Sequence, residues 1–230
     1  MERNIAIEEI SDGNTYHSRD VVAMGCNDCA GCSACCHEMC ETIILDPYDI
    51  YQFELALSQS LEQMLSNNLV ELGYMDGFIL PHMMPVLSED DEMPHCSFLS
   101  PTGRCGIHAY RPGFCRLFPL GRYYRDGSFT YIHQIHECHY PLEQRTPVRI
   151  REWLGIRMLS QYEDFVNEWH YFLKDVDGYF HMKEEGSKEK EHICSYLLGL
   201  FYGVPYDTKQ AFFPQFYERL NQAKKELSME

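Results

Sequence analysis

The stretch C26-N-D-C29-A-G-C32-S-A-C35-C36-H-E-M-C40 holds six of the chain's eleven cysteines within fifteen residues. Packing has no use for cysteine at that density. Thiolates crowded together repel one another unless a positive centre lies between them, and a metal ion or an iron–sulfur cluster is the usual centre. The run is also rich in Gly, Ser, Ala and Asn and too irregular for a continuous helix. It therefore implies a fold built around a cysteine-rich metal site, with regular structure supplied by the segments on either side.

Reading outward, Asp46 and Pro47 open a helix as N-cap and first residue, and Asp49 suits the positive end of its dipole. Ile50, Phe53, Leu57 and Leu61 keep one face apolar. Ser60 with Gln63 has the form of a capping box, so a second helix is expected through about Leu72 with Gly73 at its end. Residues 74–95 turn towards strand or loop, broken by Pro81 and Pro85, and the acidic residues 88–92 read as a solvated loop. Asp126-Gly127, between aromatic and β-branched residues, is a two-residue hairpin signal. From Thr146 the pattern is helical, with Thr146 as cap and Pro147 as first residue. Ile150, Trp153, Leu154, Met158, Tyr162, Phe165, Val166, Trp169 and Phe172 form its stripe. Ser160 with Glu163 is positioned to restart that helix after a small break, and Asp177-Gly178 to end it. Two closing helices are expected over 192–204 and 209–227. The whole is α+β: a mainly helical single domain with a few short strands and hairpins. Residues 1–145 form its cysteine-rich metal-binding region, and 146–230 a helical scaffold packed on it.

The 230 residues suffice for a proper core, and a net charge of -16 argues against a nucleic-acid or anionic-membrane partner. The first residues lack the basic and apolar regions of a signal peptide, and no apolar run reaches the length of a membrane span. A cytoplasmic location follows as the expectation. There thiols stay reduced, and clustered cysteines bind metal more often than they form disulfides.

The remaining cysteines extend the site. Cys96 and Cys105 flank a turn at Pro101–Gly103, Cys115 follows Arg111-Pro112, and Cys138 closes the hairpin. Cys194 stands apart in an apolar helical segment and reads as a core residue. The Cys29-Cys32-Cys35-Cys36 word, followed by CSFL and GRCGIHAYRPGFCRLFPL, resembles the CxxCxxCC family of zinc- or iron-chelating proteins. Some members of that family carry the label iron–sulfur protein or flagellin lysine N-methylase. The resemblance covers roughly residues 26–140 and implies eight metal-site cysteines: Cys29, Cys32, Cys35, Cys36, Cys96, Cys105, Cys115 and Cys138. Cys26 and Cys40 are additional candidates, and His108 stands where the family more often has Tyr.

Sulfur-only donors fit zinc or an iron–sulfur cluster and exclude magnesium and calcium. The spacing Cys26-x2-Cys29-x2-Cys32 resembles the opening of a bacterial ferredoxin run, whereas Cys29/Cys32 with Cys96/Cys105 would equally make the two pairs of a zinc site. An iron–sulfur cluster, of the four-iron 4Fe–4S type, stands ahead of zinc, partly on the family's description. Residues 104–125 hold Arg104, Arg111, Arg116, Arg122 and Arg125 without a single Asp or Glu. Arg104, Arg111 and Arg116 are candidates to stand behind the thiolates and donate hydrogen bonds to sulfur, although they could as well pair with carboxylates elsewhere. His37, His95, His133, His136 and His139 are alternative ligands, weighed against ordinary surface or core roles. No glycine-rich strand-to-helix turn supports a methyltransferase reading. The functions consistent with these residues are a redox or enzymatic iron–sulfur protein and a zinc-stapled structural or interaction module.

Overall fold

The computed structural model describes residues 6–27, 32–75, 77–87, 93–182 and 188–228. The acidic segment 88–92, Cys29 and the first part of the lysine- and glutamate-rich run after Met182 lie outside them. The fold is α+β, about 48% helical with 20% strand.

A short helix α1 (Ile7–Ile10) precedes strand β1 (Val21–Gly25). The cysteine run then carries α2 (Ala34–Glu38) and a 3-10 turn at Cys40–Thr42. Helices α3 (Pro47–Leu57) and α4 (Leu61–Ser66) follow, each closed at its start by a capping box, Asp46 with Asp49 and Ser60 with Gln63. Next come strands β2 (Val70–Met75), β3 (Phe78–Met83), β4 (Pro85–Val86) and β5 (His95–Cys96), then α5 (Gly113–Leu117), β6 (Leu120–Arg125), β7 (Ser128–His133) and β8 (Thr146–Arg149). The chain ends in α6 (Ile150–Leu154), α7 (Leu159–His181), α8 (Lys188–Leu198), a π-helical turn at Gly199–Gly203 and α9 (Phe212–Glu226).

Among the described residues the strands make four two-stranded antiparallel ladders: β1–β8, β2–β3, β4–β5 and β6–β7. The Asp126-Gly127 turn is as expected, both residues having positive φ (52° and 80°), which suits the right-handed twist of the β6–β7 hairpin.

Three boundaries differ from the sequence expectation. The helix opened by Ser60 stops at Ser66, not near Leu72. Asn68 turns to positive φ, and Val70–Met75 pairs in register with Phe78–Met83. Gly73 therefore serves a strand: a Cβ there would lie 2.4 Å from His82 Nε2 across the ladder. Thr146-Pro147 does not open a helix but forms β8 against β1, with Gly25 opposite Thr146 and Ala23 opposite Pro147, and the helix starts at Ile150. Proline is tolerated there because a two-stranded ladder is all edge. Helix α7 runs through Gly178 to His181, since Phe180 is buried 5.3 Å from the Phe78 ring and holds the last turn down. The break before α7 falls at Gly155, which ends α6 in the left-handed conformation (φ 62°).

A single hydrophobic cluster runs from Val22 on β1 through α3 and the hairpins to Ala223 on α9. Its densest part is aromatic. Tyr162, Phe165, Trp169, Phe172 and Phe180 form the buried stripe of α7, and Phe212 and Phe216 of α9 meet it, Phe165 and Phe216 edge to face at 4.6 Å. The long-range bonds from Tyr51 Oη to Gln210 O (2.9 Å) and from Tyr202 Oη to Leu45 O (3.1 Å) tie α3 and its approach to this helical layer. No described helix is long and apolar enough to cross a membrane.

Candidate metal centre

The cysteine run is pinned to the core at its far end, where Leu45 N donates to Pro81 O (2.9 Å) and Met83 N to Ile43 O (3.0 Å). Within it, α2 and the following 3-10 turn place Cys36 and Cys40 one helical turn apart on a common face. The β4–β5 ladder brings in Cys96 opposite Pro85. The chain then folds back tightly. Leu99 N donates to Cys96 O (2.9 Å), Gly106 N to Phe98 O (2.7 Å), and Leu99 bridges to Cys105, so Cys96 and Cys105 come to the same side of the turn.

Cys115 arrives on α5, whose placement rests on a buried carboxylate. Asp49 on α3 is 1% exposed, and its Oδ1 accepts from Gly113 N at 2.8 Å. A Cβ on Gly113 would fall 2.1 Å from Tyr162 Oη, so glycine is what allows α5 to sit this close to α7. Burial, then the neighbouring Asp46 carboxylate, hold the Asp49 carboxyl well above the usual carboxylate range.

These elements surround a cavity of about 80 Å³. Cys35, Cys36, Cys40, Cys96, Cys105 and Cys115 line it, with Cys32 as a seventh thiol. Met39, Ile43, Met83 and Phe98 give it apolar walls, and Arg104 and Arg111 contribute the charge. No disulfide links the described cysteines. The Cys36 side chain and burial push the Cys35 thiol up, and the Cys40 side chain and burial do the same to Cys96. Cys115 and Cys105 are raised first by burial, whereas Cys40 is lowered by its hydrogen bond with Cys96. Arg111 acts in the opposite sense on Cys35 and Cys105, favouring the thiolate. Each additional thiolate in the group is opposed by its neighbours and by burial, and a cation among the sulfurs would relieve that opposition.

The donor chemistry fits a thiophilic metal or cluster. As they stand, no three His, Cys, Asp or Glu side chains among the described residues converge closely enough to hold one ion; in the cavity Cys35 is hydrogen-bonded with Cys36, and Cys40 with Cys96. Loading would replace those contacts with bonds to metal.

The other candidates separate. Cys138 does not line the cavity; with Cys26 it sits beside the buried Arg145, and Cys32 is electrostatically close to both groups. Cys194 is buried on α8 with its Sγ donating to Gly77 O (3.1 Å), as a core residue. Arg116 does not reach the cavity. It donates to Arg111 O (3.0 Å), Leu154 O (3.3 Å) and Ala109 O, and so fastens the Arg111 loop to α6. Arg122 turns to Tyr162 Oη (3.0 Å), and the exposed Arg125 pairs with Asp126 (3.3 Å). Among the histidines, His37 and His95 face each other with ring centroids 5.7 Å apart, His108 lines the cavity, and His139 lies 3.4 Å from Glu38. His133 is buried against Arg145 and Asp12, and His136 is exposed. Sequence reasoning missed Asp49 and Arg145. Asp49 was hidden by its obvious capping role, and Arg145 lies outside the arginine-rich segment, marked only by its place between Cys138 and β8.

A thiol-lined cavity with cationic residues in its wall has the donor chemistry of a cysteine-cluster metal-binding site. Residues 28–139 match the CxxCxxCC family model, described as a "putative zinc- or iron-chelating domain", and the match spans the segment that builds the cavity. No curated protein and no solved structure matches the chain.

Proposed function

We propose that the protein carries an iron–sulfur cluster of the four-iron type in the cavity. Its thiolates would come from Cys35 or Cys36, Cys40, Cys96, Cys105 and Cys115, and it would serve redox chemistry in a reducing, cytoplasmic setting. The observation that carries this reading is the cavity itself: seven thiols from three chain segments around about 80 Å³. A lone tetrahedral ion with Zn–S bonds of about 2.3 Å would leave much of such a space unfilled, whereas a polynuclear centre fills it.

When bound, a cluster supplies a one-electron couple. The chain does the rest. Met39, Ile43, Met83 and Phe98 keep water from the sulfurs, Arg104 and Arg111 offset the negative charge of the thiolates, and the Asp49–Gly113 bond fixes the helix that presents Cys115. Arg116 contributes at one remove, by holding the loop that carries Arg111.

Iron, zinc and acid-labile sulfide measured on anaerobically prepared protein, with visible absorption and EPR spectra of the same sample, test the reading. Iron and sulfide in about equal amounts with a visible chromophore support it. A colourless protein that contains zinc and no sulfide refutes it and leaves the zinc-stapled module. That second reading is favoured by the way Cys96 and Cys105, joined by their tight turn, oppose the Cys35-Cys36 pair.

A further inference from the structure

The wall of the cavity reaches the molecular surface at Phe114, which lines the cavity and is 42% exposed. Phe114 lies in the first turn of α5, and the loop before that helix leaves Tyr110 38% exposed. Arg116 fastens this loop to the turn between α6 and α7. Its side chain donates to Arg111 O (3.0 Å) and Ala109 O on one side and to Leu154 O (3.3 Å) on the other. Trp153 Nε1 donates to Phe118 O (3.0 Å) and makes a second tie between the same segments. The turn so held carries Arg157 and Met158, both exposed, the methionine at 48%. Charge follows the same outline. Residues 93–125 and 153–162 contain no Asp or Glu, and they supply Arg104 and Arg111 in the cavity wall with Arg116 and Arg157 beside it. The chain as a whole stands at -16, so its remaining surface is more negative still.

We propose that this face, Tyr110, Phe114 and Met158 among their arginines, docks an acidic one-electron carrier protein that exchanges electrons with the centre in the cavity. The inference rests on the iron–sulfur reading above. Aromatic residues, Met and Arg are the side chains that protein interfaces concentrate. Charge selects the occupant. A compact acidic patch meets the arginines alone, whereas an anionic membrane plane or a polyanion would also face the chain's own acidic surface. In the exchange the reduced carrier gives up one electron and the oxidised cluster takes it up, or the reverse, and no bond forms or breaks. Phe114, shared by the cavity wall and the docking face, keeps protein rather than water between the two centres.

The probe is a flavodoxin, an acidic FMN protein, mixed anaerobically in stopped flow with the full-length protein. One partner is supplied reduced, and formation of the flavin semiquinone is followed; it appears whichever way the electron moves. The second-order rate should fall at least about tenfold as ionic strength rises from about 0.01 M to about 0.15 M. At low salt it should fall by about tenfold in the double variant Arg157→Glu, Met158→Ser, with iron, sulfide and the visible spectrum unchanged. Neither of those residues lines the cavity. Tyr110→Ser carries the same expectation should the double variant not fold, and the salt dependence needs no variant. A rate indifferent to salt and to the variants overturns the docking face. So does a face whose substitution leaves that rate alone and instead abolishes binding to anionic phospholipid vesicles or self-association of the chain. A colourless zinc protein overturns the iron–sulfur reading and this inference with it, whereas an intact chromophore with an indifferent rate overturns the docking face alone.

Discussion

Around Phe165 the rings of Tyr48, Tyr162, Phe212, Phe213 and Phe216 interlock, and every contact is apolar and complete without a ligand. Around Cys96 the neighbours are Cys35, Cys40, Cys105 and Cys115, joined by tight turns and short ladders; a neighbouring thiol, then burial, raises Cys35 and Cys96, and burial raises Cys105 and Cys115. The two regions are adjacent and share one hydrophobic cluster. The aromatic layer is held by area removed from water and by edge-to-face ring geometry. The thiol region joins that cluster through Ile43, Met83, Ile107 and Leu117, and a metal bound by its sulfurs would add to its stability. Their joint is Asp49–Gly113–Tyr162, where a carboxylate of α3 and a ring of α7 meet the helix bearing Cys115.

If this contrast holds, removal of metal by an anaerobic chelator should have the largest effect. Hydrogen–deuterium exchange should speed up throughout residues 93–118 while α7 and α9 stay protected, and the apparent melting midpoint should fall by roughly 10 °C. Equal deprotection of both regions would erase the distinction. In the opposite direction, Phe165→Ala should cost about 3–5 kcal/mol in denaturant unfolding, with metal per folded molecule unchanged. At the joint, Gly113→Ala forces Tyr162 or α5 to shift. It should cost about 1–3 kcal/mol and lower metal retention with it, which equilibrium unfolding and metal analysis of one preparation would show.

The smallest effect belongs to pH. Burial pushes Glu54 on α3 up to about 7, and its Oε2 is buried without a hydrogen-bond partner. The folded chain thus takes up this proton more readily than the unfolded one. The contribution is fully present at low pH, below the ordinary carboxylate range, and is lost as pH rises through about 7. Glu54→Gln should therefore flatten the decline in stability between pH 5 and pH 8 by about 1–2 kcal/mol. Asp46 and Asp49, raised by burial in the same sense, should keep part of the slope.

What could be read from the residues beforehand follows the same division. Local signals named the right structures: the Asp46 cap, the Ser60-Gln63 capping box, the Asp126-Gly127 turn and the α7 stripe all depend on neighbours a few residues away. Signals that lose to distant partners misled. Thr146-Pro147 has the form of a helix start but is claimed by β1 across the chain, and Val70–Met75 is claimed by the strand after Gly77. Gly178 looks like a terminator until Phe180 finds Phe78. For the site, cysteine spacing singled out thiols that the structure brings around one cavity, and it left Cys40 in doubt although the cavity contains it. It could not show that Cys138 lies off the cavity beside Arg145, or that Asp49 positions the helix of Cys115, because both depend on contacts between distant segments.

The β1–β8 ladder also sets an order of events. Gly25 and its partner Thr146 are about 120 residues apart, so the strand beside the first cysteine is synthesised long before the strand that will cover it. At roughly 5–20 residues per second, that interval lasts about 6–24 s. Closing so long a loop is also entropically slow. During translation the six-thiol run is therefore exposed and able to capture metal before any cavity exists to select it. The strand that pairs beside Cys26 comes only with β8, directly after Arg145.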